Sequence, residues 1–164
     1  MLATVGATRS RLVRLEGLSG REIGPDRLHI TLHDLGGFDE PPIDFIDALA
    51  GIAAAISTPP FEVMFDQVQS FPRPLGDPPL VLSSSGELAG LAAFRRKLSL
   101  ALANASIWHR EMRTPHMTLL YDSRAVRKQA IEPVSWIATE FVLVKSLVGK
   151  SVHKRLAAWP LVDR

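Results

Sequence analysis

Cysteine is absent from the 164-residue sequence, which excludes disulfide scaffolds, cysteine zinc ribbons, iron–sulfur centres and thiol nucleophiles together. No charge of one sign dominates either. Nineteen Lys and Arg against seventeen Asp and Glu leave a net +2, too little for a protein that grips a duplex by neutralising many phosphates. The basic residues do gather C-terminally (Arg124, Arg127, Lys128, Lys145, Lys150, Lys154, Arg155), where they could draw a small anion or an RNA end. No stretch reaches the ~18 consecutive apolar residues of a membrane span. The first fifteen residues carry Arg9, Arg11 and Arg14 without an acid, but they lack the apolar core of a secretory signal. The expected location is the cytoplasm. Solenoid-length repeats and low-complexity tracts are missing as well.

What is present is an ordinary globular composition, 46% hydrophobic and 22% charged. The length suits one domain over 1–164, large enough to bury about 70% of its unfolded surface without staples. Pro72 to Pro79, with four prolines and a glycine, reads as a loop joining lobe-like halves of approximately 1–75 and 76–164. Apolar spacing predicts helices over 3–17 (Leu12, Leu15 and Leu18 inward), 43–56 (Phe45, Ile46, Leu49, Ile52, Ala53) and 86–103 (Leu88, Leu91, Phe94, Leu98, Leu102). Arg95, Arg96 and Lys97 of the last are expected on the outside. Strands are expected at 27–35, 61–71, 80–83, 116–121, around Phe141 and Leu143, and at 152–159, with a polar segment through Pro133 between two of them. The class is α+β.

One internal echo carries chemistry. Leu28-His29-Ile30-Thr31-Leu32 and Pro115-His116-Met117-Thr118-Leu119 share His-x-Thr-Leu and lie about half the chain apart. On a strand, side chains at i and i+2 share a face, so each copy sets an imidazole beside a hydroxyl. Ile30, Leu32, Met117 and Leu119 turn to the other side, into a core. A single histidine on an apolar strand is more often structural, but two copies of one pattern arise by chance about once in a hundred or less. Two imidazoles and two hydroxyls around one small space suit phosphodiester chemistry. One neutral imidazole takes a proton from the attacking oxygen, a protonated one gives a proton to the leaving oxygen, and hydroxyls meet the charge on phosphate oxygens. No metal or other cofactor is required.

These paired motifs resemble those of the two-histidine (2H) phosphoesterases, and more closely the bacterial 2′-5′ RNA ligase / RNA 2′,3′-cyclic phosphodiesterase family. The likeness runs from Pro25-Asp26-Arg27 through the first motif to Leu35-Gly36, includes Pro115 to Leu119, and extends over Ser146 to Lys150 and His153 to Leu161. It implies a bilobal α+β fold with pseudo-two-fold symmetry, an antiparallel sheet in each lobe, helices outside and the active site in the cleft between lobes. It further implies hydrolysis of 2′,3′-cyclic phosphate ends of RNA or nucleotides to 2′-phosphates, accompanied in some members by 2′-5′ RNA joining. By position, His29 and His116 would form the acid/base pair and Thr31 and Thr118 the phosphate-binding hydroxyls; which histidine is the base stays open. No membrane or protein partner is implied, and a monomer is expected. Against the family's pattern, the 28 residues before His29 are one strand short.

Other residues keep two readings. Tyr121 falls opposite His116 on an uninterrupted strand and reaches a ligand only if the strand twists or bulges. His33 shares the face of His29 and Thr31, lining the site or facing solvent. Trp108 and Phe38 are stacking platforms for a base or packing residues, and His153 with Lys154 and Arg155 a phosphate contact or a solvated face. A non-catalytic nucleotide- or RNA-binding module that kept the cleft is the alternative function. A metal-dependent hydrolase using His29, His33 and Asp34 ranks third.

Overall fold

Three stretches with apolar residues at helical spacing become α1 (Leu2–Glu16), α2 (Ile43–Ala55) and α3 (Ala89–Asn104) in the computed structural model, which describes residues 1–147 and 152–163. Val148, Gly149 and Lys150, part of the C-terminal likeness, lie outside the described residues. The strands are β1 (Arg21–Glu22), β2 (His33–Asp34), β3 (Phe61–Ser70), β4 (Pro79–Ser83), β5 (Arg110–Glu111), β6 (His116–Tyr121), β7 (Gln129–Ala138), β8 (Glu140–Leu147) and β9 (Val152–Pro160). The fold is α+β, and the strand pairs with a described register are antiparallel.

The chain forms two compact units, and they are not the successive halves 1–75 and 76–164. The first takes Met1–Thr31, Met64–Glu87 and Thr114–Trp136; the second takes Leu32–Val63, Leu88–Arg113 and Ile137–Arg164. Proline punctuation suggested a single crossing between halves. The long strands β3 and β7 instead run on from one unit into the other, which no composition shift announces. Both His-x-Thr copies consequently belong to the first unit rather than one to each.

The first unit is built on a five-stranded sheet of order β1-β6-β4-β3-β7. Val68, Leu80, Leu82, Met117, Leu119 and Leu120 are 0–1% exposed and form its apolar interior; Val5 and Leu12 of α1 are buried as well. Leu15 is 69% exposed rather than inward; the buried stripe runs through Val5 and Leu12, and a step of three residues beyond Leu12 leaves it. Strand β7 replaces the expected polar segment. Its Pro133 cannot donate to a ladder, and β7 tolerates it because it is the edge strand.

In the second unit α2 and α3 turn their expected faces inward. Ala53, Ile56, Phe94, Phe141 and Leu161 form the core, threaded by ring contacts Phe61–Phe94 (5.8 Å), Phe94–Phe141 (5.0 Å) and Phe141–Trp159 (5.4 Å). Arg95 departs from expectation: it is buried, donates to the Met112 carbonyl and pairs with Glu111 at 3.5 Å. A paired guanidinium can occupy such a position where an unpaired one cannot.

The segment joining α1 to β1 places the first strand beside β6. Gly17 ends α1 in the left-handed conformation (φ 62°) and its N–H donates to the Val13 carbonyl. Asp122, at the end of β6, then accepts backbone N–H bonds from Ser19 (2.8 Å), Gly20 (2.6 Å) and Arg124 (2.7 Å). A Cβ on Gly20 would fall 2.0 Å from the Tyr121 carbonyl oxygen, so only glycine permits this approach. Arg9 of α1 adds a donor to the Ile23 carbonyl (2.6 Å) and an ion pair with Glu22 (2.9 Å).

These bonds, that of Arg124 foremost, hold the Asp122 carboxyl below its ordinary 3.8. A depressed carboxyl contributes stability that is present above the unfolded value and lost as pH falls through the folded one. Replacing Asp122 by Ala is expected to cost about 3 kcal/mol at pH 7, the scale of several bonds to a charged acceptor, and Gly20→Ala a comparable amount. Denaturant titration checks this: the Asp122→Ala penalty should shrink below about pH 4, whereas the Gly20→Ala penalty should not.

Candidate active site

Strand β6 carries the second motif. Met117 and Leu119 are buried while His116 and Thr118 are half-buried on the other face, as alternation requires. Opposite them on β4, Ser83 pairs with His116 and Val81 with Thr118; on β3, Gln67 pairs with Ser83 and Gln69 with Val81. His116 and Thr118 therefore share a sheet face with Ser83, Gln67 and Gln69, and the Gln69 amide donates to the Ser83 hydroxyl at 3.4 Å. The Phe71 ring meets the His116 ring edge-on, centroids 4.9 Å apart.

The register slips between Leu80 and Val81: Leu80 pairs with Leu120 but Val81 with Thr118, leaving Leu119 as an extra residue. Such a bulge resets which side chains face which way. Leu119 and Leu120 are both fully buried, and Tyr121 emerges half-buried on the face of His116 and Thr118. The condition on which a ligand role for Tyr121 depended is thus met.

The first motif does not sit in the expected strand 27–35. Pro25, which fixes its own φ and lacks an N–H, starts a 3₁₀ turn (Pro25–Arg27), and only His33–Asp34 enter a ladder, with β5. What brings this segment to β6 is β1: Arg21 pairs with Tyr121 and Glu22 with Leu120, and the Ile23 N–H then donates to the Leu119 carbonyl (2.8 Å). His29 is exposed and Thr31 half-buried.

Both motif histidines are held alike. Nδ1 of His29 donates to the Arg27 carbonyl (2.7 Å) and Nδ1 of His116 to the Thr114 carbonyl (2.8 Å), two residues upstream in each case. A carbonyl only accepts, so each Nδ1 carries the proton and Nε2 becomes the exchanging position. His109 makes the same local bond to Ile107 (3.0 Å) without a Thr two residues on. The bond alone does not mark the motif.

The remaining candidates belong to the second unit. His33 is neither exposed nor in the unit of His29: its side chain is 2% exposed, and Nε2 donates to Ser99 Oγ (2.7 Å), which donates to Glu111 Oε1 (2.5 Å). His33 Nδ1 is buried without a hydrogen-bond partner among the described residues, and the ring lies 5.3 Å from that of His109. Burial lowers the His33 pKa below 6.5, against the pull of Glu111. Nothing in the sequence announced Ser99 or Glu111. The Asp34 carboxylate is taken up by Arg110 (2.5 Å) and the Gly36 N–H (3.0 Å). Among the described residues, no group of three or more His, Asp or Glu is placed to hold a metal ion. Trp108 (61% exposed) is no core residue, and Phe38 (44%) packs on Phe45 at 4.9 Å. Arg155 is paired with Glu140 at 2.6 Å.

A sequence profile of the 2′-5′ RNA ligase superfamily matches residues 7–150. None of the curated proteins matches the sequence. Among solved structures the chain is similar to E. coli LigT in its apo form, at 26% identity and TM-score 0.74 over 99% of this chain and 91% of that one. LigT has also been crystallised with phosphate and with 3′-AMP. A phosphoesterase is 26% identical with TM-score 0.71, covering 94% of this chain and 92% of its own. A protein of Thermus thermophilus, 21% identical, shares the fold at TM-score 0.70 over 96% and 93%.

A histidine whose folded pKa is lowered adds stability above its unfolded value, and loses it as pH drops through the folded value. His33→Asn should therefore weaken the protein more at pH 7.5 than at pH 5.5. Urea denaturation midpoints at the two pH values test this; an equal loss at both would show that the buried neutral imidazole is not a source of acid sensitivity.

Proposed function

The chain belongs to the 2′-5′ RNA ligase superfamily, the 2H phosphoesterases, and on that premise we propose that it opens 2′,3′-cyclic phosphate ends of RNA or nucleotides to 2′-phosphates. The observation that carries this reading is the matched pair of imidazoles in one unit. His29 and His116 each have Nδ1 committed to a carbonyl two residues back and a threonine two residues on. The fixed tautomer suits proton transfer at Nε2. In hydrolysis one imidazole takes a proton from water as its oxygen attacks phosphorus. The other, protonated, gives its proton to the departing 3′ oxygen; the P–O3′ bond breaks, and the product carries a 2′-phosphate and a 3′-hydroxyl.

Thr31 and Thr118 donate to the non-bridging oxygens, whose charge grows in the transition state. Protein groups accept the proton from water, supply the one to O3′ and donate every hydrogen bond in this scheme, which calls on no metal or cofactor. With an RNA 5′-hydroxyl in place of water as the attacking group, the same groups would break the P–O3′ bond, protonate O3′ and join the ends through a 2′-5′ linkage. The phosphate and 3′-AMP complexes of E. coli LigT lend support to a site for a phosphate attached to a nucleoside. The protein would act as a cytoplasmic monomer.

Hydrolysis of a nucleoside 2′,3′-cyclic phosphate in the presence of EDTA tests the reading. His29→Ala and His116→Ala should each lower kcat by about 10²–10⁴, the usual contribution of a general acid or base. Thr31→Val and Thr118→Val should each cost about 10²-fold, as for removal of one preorganised donor. Turnover unaffected in both histidine variants would overturn it. Tight binding of a 2′-phosphorylated nucleotide with no turnover would favour a binding module instead.

A further inference from the structure

Within the first unit, a phenylalanine follows a row of polar side chains onto the His116 face. Gln67 and Gln69 share that face with Ser83, His116 and Thr118. Side chains two residues apart point the same way along a strand, so Phe71, just past the end of β3, continues the row. The sheet runs β6-β4-β3 here, and the Phe71 ring reaches across β4 to the His116 ring, centroids 4.9 Å apart and planes inclined by 63°. Both residues are half-buried. An inclined, edge-on approach at this distance is a favoured arrangement of two aromatic rings.

The backbone that carries the Phe71 ring has little freedom. Phe71 precedes Pro72, and the proline ring disfavours the helical region for the residue before it. The Phe71 N–H donates to the Pro79 carbonyl (3.0 Å). One residue earlier, the Ser70 N–H donates to the Val126 carbonyl (2.9 Å), and Ser70 Oγ accepts from the Val126 N–H (3.0 Å). Val126 is itself buried. The direction in which Phe71 leaves the chain is therefore fixed at the mouth of the loop from β3 to β4.

His116 has use for such a support. The bond from Nδ1 to the Thr114 carbonyl fixes one atom of the imidazole, while the torsion that turns the ring about its stem is broad when nothing else restrains it. Proton transfer occurs at Nε2, on the far side of the ring, and a misplacement of about 1 Å at a reacting group can cost about 10²-fold in rate. We infer that Phe71 is a positioning residue: its ring, together with the Thr114 carbonyl, holds the His116 imidazole in one orientation, so that Nε2 meets the reacting oxygen at a set angle. The inference rests on the proposed acid/base role of His116 and adds to it a residue outside both His-x-Thr motifs.

Two measurements test this, one of them without turnover. Nitrogen NMR of the imidazoles, at about pH 8 where an ordinary histidine is neutral, reports which ring nitrogen carries the proton. In Phe71→Leu, which keeps an apolar side chain but removes the ring, the His116 nitrogens should move from the Nδ1–H pattern towards the averaged pattern of a free imidazole, while those of His29 stay in place. With a nucleoside 2′,3′-cyclic phosphate, Phe71→Leu should lower kcat by about 10- to 100-fold and move KM less than about threefold, the signature of a loss felt in the transition state alone. Phe71→Tyr, which restores the ring, should return kcat to within about threefold of the unmodified protein. Unchanged His116 nitrogens in Phe71→Leu would overturn the positioning role, as would a raised KM with kcat intact or a Tyr variant as slow as the Leu variant. Displaced His116 nitrogens in a protein that turns over no cyclic phosphate would uphold the hold of Phe71 on the imidazole and retire the catalytic reading, so the two failures are distinguishable.

Discussion

A single extra residue in β6, Leu119, decides which side chains share the polar face of the first unit's sheet. Before it the strand alternates regularly, with His116 and Thr118 on one side and Met117 on the other. After it the alternation restarts one place later, so that Leu119 and Leu120 both enter the interior and Tyr121 joins His116 and Thr118. Without the bulge Tyr121 would enter the apolar side and Leu120 would emerge, since a slip of one residue exchanges faces. The order of groups along β6 is then an imidazole, a hydroxyl and an arginine-flanked phenol. It follows from one local irregularity laid on an otherwise plain antiparallel pair.

Holding β1 against that strand depends on Asp122. Its carboxylate ties the turn after α1 to the end of β6, and Gly20 leaves room for the two backbones to meet. Arg21 is set beside Tyr121 by this clamp, and the chain that continues through Ile23 towards His29 is set beside Leu119. The turn after α1 and the segment leading to the first motif are therefore both tied to β6 through the β1–β6 pairing.

Much of this was legible in the residues. The i, i+2 pairing of His116 with Thr118 and the burial of Met117 and Leu119 follow from strand alternation, and the inward faces of α2 and α3 follow from helical spacing. The misreadings have physical causes. Pro25 breaks the strand expected through the first motif, and Pro133 resembles a loop residue because its edge position, which makes it harmless, is a property of the sheet and not of the segment. Arg95 has the pattern of a surface charge, and its partners Met112 and Glu111 come from distant sequence. The interleaving of the units has no sequence signal, because a long strand passing between them has the composition of any other strand. Glu111, Ser99 and Asp122 are single polar residues whose partners lie far along the chain, and no spacing rule points to them.

The central claim is that His29 and His116 serve one phosphate. Titration of the protein with adenosine 2′-phosphate, followed through the imidazole Cε1–H resonances of both histidines by NMR, tests it directly. Assignments come from His29→Ala and His116→Ala. Both resonances should move along one saturation curve with a common Kd, and removal of either imidazole should weaken the response of the other. A shift confined to one histidine, or two curves with unrelated midpoints, would contradict a shared phosphate site.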